Sequence, residues 1–212
     1  MPRRVDDFRG LTQPRRLRLL RAVQRDPGRT AQGLADECGI PLNTTRDHLR
    51  VLEAEGLVRG ETVQRGTRGR PPLVFHPVRE VASSAAADRR VSSAREHGAL
   101  LRTLTGALQD APDDGAQAQL DVLYEHLDDA GLEPRVDGDG LVFELAPCRY
   151  HGLIAEDRAL VCSVHARLVG DVLRQVHGPL TLARLEPFVT EHSCRLALAR
   201  RDGPGVGGAG SV

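Results

Sequence analysis

The feature that most constrains the fold is a series of three short amphipathic helical segments followed by a hairpin. The predicted N-caps of these segments are Thr12, Thr30 and Asn43. Gly39-Ile40-Pro41 turns the chain between the second and third segments, and Gly56 ends the third. Apolar residues at helical spacing would face a common core: Leu17, Leu20, Val23, Leu34, Ala35, Leu49 and Leu52.

Two strand-like runs, 57–63 and 73–76, follow the third helix and flank a loop, 64–72, that is rich in Gly and Arg. Helix, helix, tight turn, helix and hairpin in this order is the plan of a winged helix-turn-helix. In that plan the third helix enters the major groove of duplex DNA, and the hairpin forms the wing. The sequence therefore predicts a DNA-reading unit.

Polar side chains near the start of the third helix face away from its apolar positions. The candidate contacts to bases and phosphates on this helix are Asn43, Thr44, Arg46, Asp47 and Arg50. The wing tip adds Arg65, Arg68 and Arg70, which small residues separate and which could bind phosphates or enter the minor groove. A solvated charged loop is the alternative for the tip, but its place directly after a helix-turn-helix favours DNA contact.

Charge is distributed unevenly along the chain. The formal net charge is zero, with 29 basic residues, all Arg, and 29 acidic ones. Residues 1–80 hold 16 Arg against 10 acids, and residues 81–212 hold 13 against 19, so the halves carry +6 and −6. With only four Phe and two Tyr, the chain has few rings for stacking on unpaired bases, which favours duplex over single-stranded DNA.

The second half reads as helices and a small sheet. Leucines at helical spacing near residues 100–108 predict a linker helix that also dimerises. Further on, a helix at 159–177 and strands at 180–185 and 194–199 are expected. The predicted class is mostly α with α+β, in four parts: a winged helix-turn-helix at 11–80, a linker helix at 81–112, an α+β sensor domain at 113–201 and a disordered tail at 202–212.

Some classes of protein are unexpected from composition alone. No apolar run approaches the roughly 20 residues that span a bilayer, so no membrane partner is expected and the protein is predicted to be cytoplasmic. Four scattered cysteines do not suit a secreted disulfide framework. Cys38 lies on an apolar helix face and is predicted to be a small buried hydrophobe.

The other three cysteines lie in the acidic half, and two of them open C-x-x-H pairs, Cys148 with His151 and Cys162 with His165. Cys194 follows His192 by two residues, a spacing that puts both on one face of a strand. Soft thiolates with imidazole suit zinc or an iron-sulfur cluster. From spacing alone, three unrelated core cysteines are the alternative to a metal centre.

The chain resembles the SufR-type transcriptional regulators. The runs at 34–41, 45–58 and 69–72 are similar to the winged helix of that family, and Cys148-x13-Cys162-x31-Cys194 is similar to its cluster-binding pattern. The resemblance implies repression of operons for cluster assembly or stress response, and an iron-sulfur cluster, of the 4Fe-4S type, on these three cysteines. The last interval is a few residues longer here, and an additional cysteine of some members is absent. The candidates for the fourth ligand are therefore His151, His165, His177 and His192, and the alternatives are a non-protein ligand or an open iron site.

These inferences predict a homodimeric repressor that binds a palindromic duplex operator under control of an iron-sulfur cluster. A zinc- or small-ligand-sensing regulator that uses the same site is the first alternative. A cysteine-dependent enzyme fused to a DNA-binding module is the second, but no oxyanion hole or orienting acid accompanies the C-x-x-H pairs. The protein is therefore expected not to be an enzyme.

Overall fold

The computed structural model describes residues 9–64, 71–105, 114–137, 141–146, 150–190 and 193–201, with the backbone alone at 9–10, 99–105, 114 and 151. These residues form six α-helices and two antiparallel sheets, which confirms the predicted mostly α with α+β class. The helices are α1 (Pro14–Arg25), α2 (Ala31–Cys38), α3 (Leu42–Ala54), α4 (Ala85–Thr105), α5 (Asp114–Asp129) and α6 (His151–Gln175). The strands are β1 (Arg29–Thr30), β2 (Val58–Thr62), β3 (Leu73–Pro77), β4 (Arg135–Val136), β5 (Val142–Leu145), β6 (Leu180–Thr190) and β7 (Ser193–Arg200).

Helices α1, α2 and α3 form the predicted helix-turn-helix. Thr30 caps α2 as expected, since its side-chain oxygen accepts a 3.2 Å hydrogen bond from the Gly33 N–H. Gly39 then takes the left-handed conformation, with φ of 63°, and turns the chain toward α3. Leu49 and Leu52 of α3 are buried, so the opposite face of this helix is the one free for recognition.

The predicted caps at Thr12 and Asn43 are wrong, and prolines explain both differences. Helix α1 starts at Pro14, whose fixed φ suits a first helical position, and Thr12 ends a short 3-10 turn before it. Helix α3 starts at Leu42, because the Pro41 carbonyl already accepts the first helical hydrogen bond, 2.9 Å from the Thr45 N–H. Asn43 therefore lies inside the first turn.

The predicted hairpin is present as β2 and β3, paired antiparallel from Val58 opposite Pro77 to Thr62 opposite Leu73. Strand β1 pairs with the other edge of β3 and was missed from the sequence because it has only two residues. The predicted wing-tip contacts Arg65, Arg68 and Arg70 lie outside the described residues.

The predicted linker helix is observed as α4, which starts after a 3-10 turn at Val81–Ser83 and packs against α5. Ser93 and His97 of α4 both bond the buried Glu125 carboxylate of α5, at 2.8 and 3.0 Å. Arg90 of α4 is buried and donates a 3.0 Å hydrogen bond to the Glu55 carbonyl, which follows the last turn of α3. The leucine side chains expected to dimerise, and the tail at 202–212, lie outside the description.

The second sheet has the strand order β4-β5-β7-β6, and α6 packs against it. Helix α6 is kinked at Asp157, whose backbone leaves the helical region (φ −150°, ψ 80°). The Asp157 carboxylate accepts a 2.9 Å hydrogen bond from the Leu160 N–H and so caps the second segment of the helix. This segment is the helix predicted at 159–177; it ends at Gln175, two residues early, and the turns before Asp157 were not predicted.

The two predicted units, 11–80 and 113–201, share one hydrophobic core that runs from Leu11 to Leu198. Helix α1 packs directly against α6, and Arg167 of α6 donates a 3.0 Å hydrogen bond to the Gln24 carbonyl near the end of α1. The buried Asp171 of α6 pairs at 3.0 Å with Arg79, which follows the wing. The helix that carries Cys162 is thus docked on the helix-turn-helix of the same chain.

Candidate functional site

The polar face of α3 is open to solvent. Asn43, Arg46, Asp47 and Arg50 are exposed and Thr44 is half-buried, all on the side opposite the buried Leu49 and Leu52. Every residue predicted on this helix to touch DNA therefore lies where a groove could reach it.

Within the described part of the chain, Arg46 and Arg50 make local, exposed contacts. Arg50 bonds Asp47 at 2.7 Å and Arg46 donates to Asn43 at 3.4 Å, each one helical turn apart. The side chains of Arg50 and Asp47 are 75% and 68% exposed, and ion pairs this exposed contribute little to stability. Both guanidinium groups can therefore exchange these partners for phosphates or guanine edges at small cost.

A groove of about 690 Å³ runs between α3, the start of α2 and the wing strand β3. Arg46 and Arg50 line one side, Thr30 and Gln32 line the α2 side, and Leu73 of β3 lies opposite. Gln32 was not identified from the sequence as part of this surface, because only the packing of α2 beside α3 brings it there.

His48 of α3 is half-buried and faces α1. Burial, followed by the nearby positive charges of Arg16 and Arg15, lowers the pKa of His48 below its usual value. A neutral imidazole packed against α1 belongs to the interior of the helix-turn-helix rather than to its reading face.

Cys162 of α6 and Cys194 of β7 line one small cavity. Its other walls are mainly apolar. The cavity has a volume of about 10 Å³, which is room for one water-sized sphere. Burial and the neighbouring Cys194 raise the pKa of the Cys162 thiol, while the charge and hydrogen bond of Arg158 lower it. The lining residues besides the cysteines are Leu132, Leu145, Tyr150, Ile154, Val161, His165, Leu185 and Pro187.

His165 is the one candidate histidine with a described side chain that lines this cavity. Its Nε2 atom is buried and has no hydrogen-bond partner among the described residues. Burial lowers the pKa of His165 to about 4, so the ring is neutral at neutral pH and keeps a lone pair for a ligand. The ring also meets Tyr150 edge-on, with 6.4 Å between centroids.

The other predicted ligands are placed less completely. Cys148 and His192 lie outside the described residues, and only the backbone of His151 is described. His177 is exposed and lies beyond the end of α6. The last residue of that helix, Gln175, is already about 20 Å along the helix axis from Cys162, at 1.5 Å per residue. Within the described part of the chain, no three His, Cys, Asp or Glu side chains form a group that could hold a metal ion.

Two cavity-lining residues, Leu145 and Tyr150, border the segment that contains Cys148 in the sequence. A complete metal centre on this cavity would therefore depend on that neighbouring segment. Cys38, by contrast, packs against the core in α2 but is only half-buried, so its predicted burial is met only in part; that burial raises the pKa of its thiol.

Residues 11–61 match a family model described as a helix-turn-helix domain. The matched stretch runs from just before α1 into β2 and indicates a DNA-binding domain of the kind found in transcription regulators. Comparisons with curated proteins and with solved structures gave no match. None of the helices in the described ranges combines the length and apolar character that a membrane span requires.

Proposed function

We propose that the protein is a homodimeric transcriptional repressor whose affinity for a palindromic operator is controlled by an iron-sulfur cluster on Cys148, Cys162 and Cys194. The observation that carries the proposal is the meeting of Cys162 and Cys194 in one cavity, although 31 residues separate them in the sequence. The helix that holds Cys162 also packs on α1 of the helix-turn-helix.

The donor set suits a soft metal centre. Two thiols and a buried neutral imidazole border the cavity, and its walls are otherwise apolar side chains and one Tyr. Such a setting excludes water and favours thiolate-bound iron or zinc over the oxygen-liganded hard cations. A bound cluster would supply a cross-link between β7, α6 and the Cys148 segment that oxidation can remove. Among the histidines, the cavity favours His165 for the fourth position and disfavours His177.

The α1–α6 contact connects the cysteine cavity to the helix-turn-helix. A second small cavity lies between the two helices and is lined by Leu11 and Leu17 on one side and by Val164, His165 and Leu168 on the other. Tyr150 and His165 border both this cavity and the cysteine cavity. Because cluster binding would restrain α6, part of its binding free energy can bias how α1 and the recognition helix are held.

The first test is the metal content of the full chain purified without oxygen. Iron and sulfide are expected in the parent protein, with a brown colour that bleaches in air, and are expected to be lost in Cys162→Ser and in Cys194→Ser. Cys38→Ser is the matched control and should retain them. A parent protein free of iron and sulfide would contradict the cluster.

A zinc-sensing regulator is the second candidate, because Cys162 and Cys194 meet in a cavity with room for one water-sized sphere, and the described residues alone do not complete a metal site, so further ligands would have to come from the neighbouring Cys148 segment. It predicts a colourless protein with one zinc per chain. The same elemental analysis separates the two candidates.

A further inference from the structure

Arg158 lies one helical turn before Cys162, directly after the kink in α6. Residues four apart share one face of a helix, so the Arg158 guanidinium group lies beside the Cys162 side chain, where its positive charge favours the thiolate. The same group lies over the ring of Phe188 on β6, with its central carbon 5.5 Å from the ring centroid. One exposed side chain thus joins α6 to β6 beside the cysteine cavity.

The part of β6 that Arg158 touches is irregular. The pairing of β6 with β7 shifts register between Glu186 and Thr190, and Phe188 has φ of 57° within this bulge. A left-handed backbone is strained for a non-glycine residue, so the surrounding contacts must hold it. Pro187, next to Phe188, is part of the cavity wall, so movement of the bulge would open the cavity.

The charge of Arg158 also matters to any thiolate centre. Three cysteine ligands would bring negative charge into a cavity with apolar walls, where uncompensated charge is costly. A cation beside a ligand sulfur offsets that charge, and the net charge around an iron-sulfur cluster is one of the factors that set its reduction potential.

We propose that Arg158 is the clamp of the cysteine cavity: it holds the β6 bulge against α6 through Phe188 and offsets the charge of the ligand sulfurs through Cys162. The charge-offsetting part rests on the proposed metal site. The mechanical part concerns the protein whether or not a metal is bound.

The mechanical part is tested in the metal-free full chain by hydrogen exchange followed by mass spectrometry. Arg158→Gln keeps a hydrogen-bond donor but removes the cation, and the backbone amides of Leu185, Glu186 and residues 188–190 should exchange several-fold faster than in the parent. Arg135→Gln, the same change at an exposed residue of β4, is the control and should leave this segment unchanged. If this segment exchanged hydrogen in Arg158→Gln at the rate of the parent protein, the clamp would be refuted.

The charge part is tested in metal-loaded protein. Arg158→Gln should lower the reduction potential of the cluster, or for zinc should speed release to a chelator, while Arg158→Lys should lie closer to the parent. Parental potential and release rate in Arg158→Gln would overturn this part. A parent chain that binds neither metal would refute the proposed function, and the exchange experiment would still decide the clamp.

Discussion

Gly56 shows how one residue fixes the junction between α3 and α4. It ends α3 with φ of 67°, and a Cβ added there would lie 2.8 Å from the Ala86 Cβ at the start of α4. Gly56→Ala should therefore lower the free energy of unfolding by about 2–4 kcal/mol, from left-handed strain and overpacking together.

Gly39 provides the matched control for this prediction. It has a similar φ of 63°, but no atom lies within 4 Å of an added Cβ. Gly39→Ala should cost only the strain, about 1–2 kcal/mol. Urea unfolding of the two variants checks the comparison, and equal losses would show that the Gly56–Ala86 contact is not tight.

His165 predicts a pH dependence of stability in the metal-free protein. Burial holds its pKa at about 4 in the folded chain, below its value of about 6.5 when unfolded. The unfolded chain binds the extra proton between these values, so stability is full above about pH 6.5 and falls as the pH drops toward 4.

The loss from His165 should be about 2 kcal/mol between pH 7 and pH 5. Urea unfolding at both values measures it, and His165→Gln should reduce the difference by about that amount. His126, whose pKa burial also lowers, remains in the variant and keeps part of the dependence. An unchanged difference in His165→Gln would show that this ring is not held neutral.

At the scale of elements, the helix-turn-helix and its hairpin could be predicted because their signals are local. Thr30, Gly39 and Gly56 mark ends of helices, and β2 and β3 are short strand-like runs on either side of a Gly- and Arg-rich loop. The wrong caps at Thr12 and Asn43 arose because Pro14 and Pro41, close beside them, set the helix starts instead.

The candidate cysteine site could be predicted only in part. Sequence patterns placed Cys162 on a helix and Cys194 on a strand, as observed. Their meeting depends on the pairing of β7 with β5 and β6 and on the packing of α6 against the sheet, and both are long-range contacts. Arg158 and Tyr150 have no local signal for the site, because they reach it through the kink and the start of α6.

A substitution on the exposed face of α3 tests whether this helix contacts DNA bases. Arg46→Ala should weaken binding to a selected operator by about 1–3 kcal/mol and relax its sequence preference, as expected for loss of a base contact. Arg135→Ala, an exposed arginine on β4, is the control for loss of one positive charge. Competition binding with operator and random duplexes measures both effects. If Arg46→Ala behaved like Arg135→Ala, this face of α3 would not be the reading face.

At the scale of the molecule, a basic half and an acidic half are packed into one core. The +6 of residues 1–80 lies with the helix-turn-helix, and the −6 lies with the cysteine-bearing half. Repulsion from the phosphate backbone would keep an acidic unit off DNA, and in the proposed function the α1–α6 contact is the connection through which that unit would act on the helix-turn-helix. A formal net charge of zero is thus compatible with a basic half that binds DNA and an acidic half that carries the cysteines.

Arg167 links the two halves through the Gln24 carbonyl. Arg167→Ala should leave the metal content of the chain unchanged but reduce the difference in DNA affinity between the loaded and metal-free protein. Elemental analysis and binding titrations of both forms check this. A variant with the full parental difference would mean that coupling does not depend on this contact.

The central claim is that the cysteine centre controls DNA affinity, and the most direct measurement compares the loaded and metal-free full chain on the same selected operator, without oxygen and at fixed salt. The loaded form should bind at least about five-fold tighter, the lower end of usual coupling between sites. Cys162→Ser should bind with the metal-free affinity in both preparations. Equal affinity of loaded and metal-free parent protein would contradict the account.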